Sequence, residues 1–377
     1  MLVATSAIDP GRGRSLTHSW SGPLSCRSGR LEIDSHAENT VCPRLSDRTV
    51  RNYPSIAIFG VKSAPMIVIV PVMIQTFPVR LPYRAPYDWP ATMVFLARRA
   101  IDGVEQVESD TYRRTIRFDG STGILEVAHG DPGAALLATV RGLPPAAIPA
   151  TVERVRRMFD LDADLRAIAA HLARDPSMAP LVAAGPARRV LRGWEGFEVA
   201  ARSIIGQQVT VAHARRLNGI LVDRCGSELP GGADDPLRRV FPTAQRVLDA
   251  DLSAMGMPGA RVTTLKTIAS AVLAEPRLFD RAGSIDETIA RLRAIRGIGD
   301  WTAHYIAMRA CGEPDAFPAS DVGLLRGAAD ATGCRPTPRQ LLARAEAWRP
   351  WRAYAAHQLW ARDASSKPSV PSREGLA

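Results

Sequence analysis

The sequence predicts an α+β chain, with a small antiparallel-sheet domain ahead of a mainly α-helical region. Between Thr111 and Arg141 the segments TYRRTIRFDG and GILEVAHG alternate with a period of two, as half-buried strands do. From Leu161 onward the apolar residues recur instead at spacings of three and four, as in WEGFEVAARSIIGQQVTVAHARRLNGILV (Trp194 to Val222). Within that region LRAIRGIGDWTAHY (292–305) reads as helix, tight glycine turn and helix. Asp321 follows about twenty residues later, set before a new apolar helix by Pro318, Ala319 and Ser320.

Taken in order, residues 1–76 lack sustained periodicity and are broken by Pro10, Gly11, Gly13, Gly22, Pro23 and Gly29. A mostly disordered extension is expected there, with Met73 as an alternative initiator. Residues 77–160 form the sheet domain. PYDWPATMVFLARRAI suits a helix over the sheet, Gly120 to Gly123 a turn between strands, and Leu136 to Arg141 a further strand. No catalytic constellation stands out in this domain, so a scaffold role is expected. Residues 161–363 are helical and 364–377 a disordered tail. Gly206, Gln207 and Gln208 interrupt the apolar pattern of the second region as a polar kink. Gly256, Pro258 and Gly259 break the pattern again ahead of the 292–305 stretch.

Composition narrows the partner class. The 377 residues exceed one compact core, and 46% hydrophobic with 23% charged residues describes a soluble globular chain. The formal net charge of +10 favours a polyanion. Lys62, Lys266 and Lys367 are the only lysines, so nearly all of the positive charge is arginine. The five cysteines, Cys26, Cys42, Cys225, Cys311 and Cys334, contain no CxxC pair, which argues against a zinc finger and fits a reducing compartment. The longest apolar run, MIVIVPVMI, is broken by Pro71 and too short to span a membrane.

Two features bear on chemistry. Gly297 and Gly299 bracket Ile298, so the turn can take positive φ and come close to another surface. The helix after it then opens with bare N–H groups, a ready anion site. Asp321 reads equally as a plain helix cap. Trp301 and Tyr305 stand at i and i+4 and share one helix face, which by itself suits core packing.

The hairpin, the WTAxY helix and the aspartate together are the signature of the helix-hairpin-helix glycosylase superfamily. Residues 77–363 resemble the DNA-3-methyladenine glycosylase II family, and PYDW followed by FLARRAIDGVE is similar to the opening of its N-terminal domain. The resemblance implies a two-lobed helix-hairpin-helix core with the hairpin at 286–309 and Asp321 as the aspartate required for cleavage. It implies a base pocket of Trp301, Tyr305 and Trp360, and DNA contacts through Gly297, Ile298, Gly299 and Thr302. Gln207 and Gln208 match the turn that wedges into the duplex, where the family prototype has an apolar residue. The carbonyls of Arg293, Arg296 and Ile298 match the positions that hold a monovalent cation (Na or K), and no cofactor is required. Some family members carry a fused methyl-acceptor domain upstream. Cys26 and Cys42 alone do not supply its cysteines, so no such fusion is expected.

The implied activity is removal of N-alkylated purines such as 3-methyladenine and 7-methylguanine from double-stranded DNA by a monomer, in the cytoplasm at the nucleoid. Bifunctional superfamily members carry a lysine near the start of the second hairpin helix. Here Trp301 stands there, so a monofunctional enzyme that leaves an abasic site is expected. Two alternatives are a non-catalytic DNA-binding module and a glycosylase for deaminated or oxidised bases. The first is separated by whether Asp321 opens into a cleft beside the three aromatic residues or is spent on a closed surface.

Overall fold

A computed structural model describes residues 75–130, 133–229 and 235–365. Within residues 1–74 it describes only short antiparallel strand pairs, such as Val3–Ile8 with Ser15–Trp20. The expected disordered extension and tail therefore fall largely outside the described residues. Residues 1–71 and 72–377 form separate units, and the hairpin, Asp321 and the aromatic residues all belong to the second.

That unit opens with a five-stranded antiparallel sheet: β1 (Thr76–Pro82), β2 (Glu105–Glu108), β3 (Thr111–Phe118), β4 (Ser121–Gly130) and β5 (Ala135–Arg141), in the order β1-β5-β4-β3-β2. The β3–β4 hairpin pairs Phe118 with Ser121, so its turn is Asp119-Gly120. Both residues have positive φ, 43° and 78°, as a two-residue turn matched to the strand twist requires. The turn expected over Gly120 to Gly123 is thus shorter. Gly123 is a strand residue, where a Cβ would lie 2.2 Å from the Arg141 carbonyl oxygen. Strand β1, which periodicity does not reveal, carries Pro78 and Pro82. It lies at the sheet edge, where a missing N–H is tolerated.

Helix α1 (Trp89–Ala97) covers the sheet, started by the Asp88 carboxylate accepting from Ala91 N at 3.0 Å. Its Trp89, Met93 and Leu96 pack with Tyr112, Leu125, Val127 and Leu136. Among the described residues twelve more helices follow α1. Those that build the site are α5 (Gly196–Ile205), α6 (Val211–Cys225), α8 (Gly259–Ala274), α9 (Ile285–Arg293), α10 (Asp300–Ile306), α11 (Val322–Gly327) and α13 (Arg352–Ser365). The others are α2 (Ile148–Met158), α3 (Leu165–Leu172), α4 (Ala179–Ala184), α7 (Ala244–Asp249) and α12 (Pro338–Ala345). Helix α5 is central: Phe197, Val199, Ala200, Ala201, Ile204 and Ile205 are all buried.

Sheet and helices are locked by buried charge. Arg114 on β3 donates to Glu198 on α5 at 2.7 Å, and Arg202 donates at 2.9 Å to both Glu198 and Glu105. Tyr112 adds a hydrogen bond to Glu105 at 2.7 Å. Burial alone would raise the Glu105 carboxyl, but the Arg202 and Arg114 guanidiniums outweigh it and hold the carboxyl below its usual range. Such a network is costly to desolvate and far costlier to break on one side. It therefore specifies how the two layers meet.

Asp160, after α2, sits at another junction. It accepts from Tyr354 Oη at 3.0 Å and from Val190 N at 3.2 Å. Burial is the main cause that pushes its carboxyl from 3.8 up to about 6, against the pull of Arg189. Folding raises this pKa, so the group's contribution to stability is full below about pH 4 and lost as pH rises through about 6. Asp160→Asn keeps an acceptor and tolerates the local φ of +53°. Between pH 4.5 and 7.5 the variant should gain about 2 kcal/mol on the native protein in urea unfolding. A pH-independent difference would rule this out.

Candidate active site

The hairpin turn is built around one glycine. Gly297 has φ +92°, and a Cβ there would stand 2.0 Å from Thr264 Oγ1 on α8, so the turn is pressed against that helix. Gly299 has φ −84° and ψ 175°, extended backbone, and needs no special freedom. The expectation of positive φ thus holds at one of the two glycines. Gly299 starts α10 with no side-chain cap, leaving first-turn N–H groups to the outside. Asp300 at the first helical position pairs with Arg293 at 3.6 Å. Ile298 and Thr302 are 5% and 3% exposed and lie inside the hairpin. The Gln207 amide donates to Thr302 Oγ1 at 3.0 Å. Those two side chains therefore tie the α5–α6 turn to the hairpin and do not face outward. Gln208 is the outward one of the pair, exposed and held at φ +55°.

Asp321 caps α11, its Oδ1 accepting from Leu324 N at 2.9 Å. The same carboxylate is gripped by two indoles: Trp360 Nε1 donates to Oδ1 and Trp301 Nε1 to Oδ2, both at 2.8 Å. Cap and cleft residue are therefore one residue, because Asp321 also lines a cleft of about 1450 Å³ with Trp301, Tyr305 and Trp360. Trp301 and Tyr305 stack at 5.2 Å and 15°, and Tyr305 meets Trp360 edge-on at 6.5 Å. No ion pair neutralises Asp321 among the described residues. The nearby Arg326 is spent on Asp363, at 2.6 and 2.8 Å. All three hydrogen bonds to the carboxylate come from N–H dipoles.

Two glycines permit this grip. A Cβ on Gly327 would stand 2.1 Å from the Leu359 carbonyl oxygen on α13, and one on Gly323 would stand 3.0 Å from Trp360 Cδ1. With i, i+4 spacing they form the face of α11 that lets α13 close in and seat the Trp360 indole.

The cleft also holds residues to which the sequence assigned no role in a site. Phe95 and Arg99 come from the sheet domain, on and just after α1, so that domain is more than a scaffold. Arg309 lies in the wide π turn Ala307–Cys311 that follows α10. It continues the Trp301, Tyr305 stripe by one more step of four, a legible signal. Its guanidinium is 4.8 Å from the Phe95 ring, 5.6 Å from Tyr305 and 5.9 Å from Trp360. His357 stands three residues before Trp360 on α13. Arg98, Arg188 and Arg215 add positive charge around the opening.

These features define a class: a helix-hairpin-helix protein with a carboxylate at the mouth of an aromatic cleft. Comparison with known proteins narrows it. Residues 78–195 match the AlkA N-terminal domain, and residues 201–353 match the HhH-GPD superfamily base excision DNA repair protein. DNA-3-methyladenine glycosylase 2 of Escherichia coli strain K12 is 32% identical over 287 residues, covering 74% of this chain and 95% of its own. The probable bifunctional transcriptional activator/DNA repair enzyme AlkA of Mycobacterium tuberculosis is 33% identical over 285 residues. That match covers 76% of this chain, which spans 57% of the relative's length. A 3-methyladenine DNA-glycosylase structure from Archaeoglobus fulgidus shares the fold, with a TM-score of 0.66 at 22% identity over 76% of this chain and 98% of that one. The chain belongs to the AlkA-type family of helix-hairpin-helix base excision DNA repair proteins.

Gly327→Ala tests the close helix contact. Overpacking against the Leu359 carbonyl should cost about 1–3 kcal/mol in urea unfolding. Gly219→Ala on α6, where a Cβ meets nothing within 4 Å, should be neutral or stabilising by up to about 1 kcal/mol. Equal effects at the two sites would remove the close packing as the reason for glycine at 327.

Proposed function

We propose that the protein is a monofunctional DNA glycosylase that flips N-alkylated purines out of duplex DNA and hydrolyses their N-glycosidic bond, leaving an abasic site. The observation that carries this reading is the Asp321 carboxylate at the aromatic cleft, held by Trp301 and Trp360 and left without a countercharge. Cleavage of an N-glycosidic bond builds positive charge on the sugar. A fixed anion beside C1′ stabilises that state and can orient or deprotonate the attacking water. Oδ2 accepts one hydrogen bond against two on Oδ1, which leaves it the freer oxygen for this work. The stacked Trp301 and Tyr305 offer a π surface to a damaged base. For a cationic purine it is worth roughly 0.5–2 kcal/mol per ring. N-alkylation has already activated the leaving group, so little acid catalysis is needed.

The uncapped N–H groups of α10 would take a DNA phosphate, a contact indifferent to base sequence. The exposed Gln208 would fill the gap left by the flipped base through stacking and hydrogen bonding. Lys266 is the one lysine among the described residues, and its Nζ donates to the Leu248 carbonyl at 3.0 Å on a different helix. No amine therefore stands beside Asp321 for a lyase step among these residues. The hydrolysis as proposed uses no cofactor and is carried out by a monomer. A sodium or potassium ion would be held by the carbonyls of Arg293, Arg296 and Ile298. Neutral oxygen donors of this kind suit a weakly bound hard cation, and Gly297 at φ +92° gives the chain the sharp turn such a loop needs.

Release of free base from methylated duplex DNA is the test. The native protein should release 3-methyladenine or 7-methylguanine, with strands cut only after hot alkali. Asp321→Asn should slow release by about 100-fold or more, as loss of a preorganised electrostatic contact does. Tight DNA binding with no release by the native protein would favour a non-catalytic binding module instead.

A further inference from the structure

The loop that delivers Asp321 is held at both of its ends by one helix. Phe317 to Asp321 is the last stretch before α11, and its Phe317, Pro318 and Ala319 are buried. Two internal hydrogen bonds stiffen it, from Ala319 N to the Phe317 carbonyl at 3.0 Å and from Asp321 N to the Pro318 carbonyl at 2.8 Å. Pro318 fixes one backbone angle more. The stretch therefore moves as one piece, and the grips on its two ends decide where the carboxylate stands. At the far end the Trp301 indole donates to Asp321 Oδ2. At the near end the Phe317 N–H donates to Nδ1 of His304 at 3.2 Å. Trp301 and His304 are three residues apart on α10, so one turn of that helix carries both grips.

The His304 ring is fitted to this contact. Its side chain is 17% exposed, and Phe317 is buried with its ring edge-on to Trp348 at 5.7 Å. A main-chain N–H at this depth needs a partner within the protein. It can only donate, so Nδ1 carries the lone pair and the ring proton belongs on Nε2. Nε2 faces the Asp300 carboxylate at 4.0 Å. Burial holds the imidazole below its ordinary pKa of 6.5. Arg352 from α13 and Arg293 from α9 push the same way, against Asp300 and Asp286. The ring is therefore uncharged at neutral pH, the form in which Nδ1 can accept.

We propose that His304 is a positioning residue for base excision, its Nδ1 tethering the Phe317–Asp321 loop so that the carboxylate meets the sugar from a fixed point. The inference rests on the glycosylase reading above and adds to it a residue outside the lining of the cleft. Loss of the tether leaves the indole grips in place but frees the start of the loop, and the carboxylate turns about its remaining hydrogen bonds. Misplacement of that kind slows the chemical step. DNA affinity is supplied elsewhere, by the hairpin turn and Gln208, and is untouched.

Single-turnover release of a methylated base, measured together with the DNA dissociation constant, tests this in three variants. His304→Leu removes the acceptor. His304→Asn carries an oxygen on Cγ, where Nδ1 stands, whereas His304→Gln carries it one bond farther out. The leucine and glutamine variants should slow release about tenfold or more with the dissociation constant within about twofold, and the asparagine variant should stay within about threefold of native. The asparagine–glutamine comparison decides the matter even where the leucine variant fails to fold. 15N NMR of histidine-labelled native protein should show a ring, absent from the His304→Asn spectrum, whose Nδ1 bears no proton. An asparagine variant as slow as the leucine one, a glutamine variant as fast as the asparagine one, a protonated Nδ1, or affinity lost in step with rate would each overturn the tether. Native protein that releases no base would overturn the glycosylase reading, and the tether's role with it, an outcome that the native control tells apart from the others.

Discussion

The position of one carboxylate governs the site. Asp321 is held by indole N–H groups from α10 and α13, two helices far apart in sequence, while its own helix supplies a third donor. Each bond is 2.8–2.9 Å long, so α10, α11 and α13 must be placed to within a fraction of an ångström. That precision comes from backbone contacts that only glycine permits. Gly327 lets α13 approach α11, and Gly297 lets the hairpin press on α8. Side-chain packing alone would leave slack that three converging hydrogen bonds do not tolerate.

Dipoles rather than a countercharge compensate the anion, and this has a chemical consequence. A guanidinium paired with Asp321 would cancel the field that the proposed reaction requires at the sugar. Arg326, which lines the same cleft, is bound instead to Asp363 through two hydrogen bonds. The other arginines are gathered at the rear of the cleft around Phe95 and at its rim. The cleft is therefore polarised, with negative charge at one wall and positive charge at the other. A base seated between them would have its sugar side near the anion and its far edge near the guanidiniums.

Much of this was legible in the sequence. The period of two marked β3, β4 and β5, and the spacing of three and four marked the helical region. Asp321, Trp301, Tyr305 and Trp360 are brought to one cleft, as the resemblance implied. What stayed hidden is of two kinds. Strand β1 and the Asp119-Gly120 turn are local features whose signals conflict, prolines in one case and a second glycine three residues on in the other. Phe95, Arg99 and His357 are hidden for a different reason. Phe95 and His357 are ordinary helix residues and Arg99 a residue of the turn after α1 until tertiary packing brings them together, and no local pattern encodes that packing. Thr302 carries the opposite lesson, since a motif position can be buried, here tied to the half-buried Gln207 of another element.

The sheet domain and the site cannot be separated, and the buried charges explain why. Arg202 joins Glu105 of β2 and Glu198 of its own helix, and its second nitrogen donates to the Arg99 carbonyl at 2.6 Å. The lock that joins sheet to helices thus ends on the main chain of a cleft residue. A hydrophobic contact of equal area would hold the layers together, but it is non-directional and would not orient the main chain after α1. Charged hydrogen bonds in a buried site punish a shift there steeply. The network costs desolvation energy and returns a fixed distance between Phe95 with Arg99 on one side and Arg309 with Trp360 on the other. The sheet domain, which shows no catalytic motif, therefore sets the depth and the charge of the cleft in which Asp321 works.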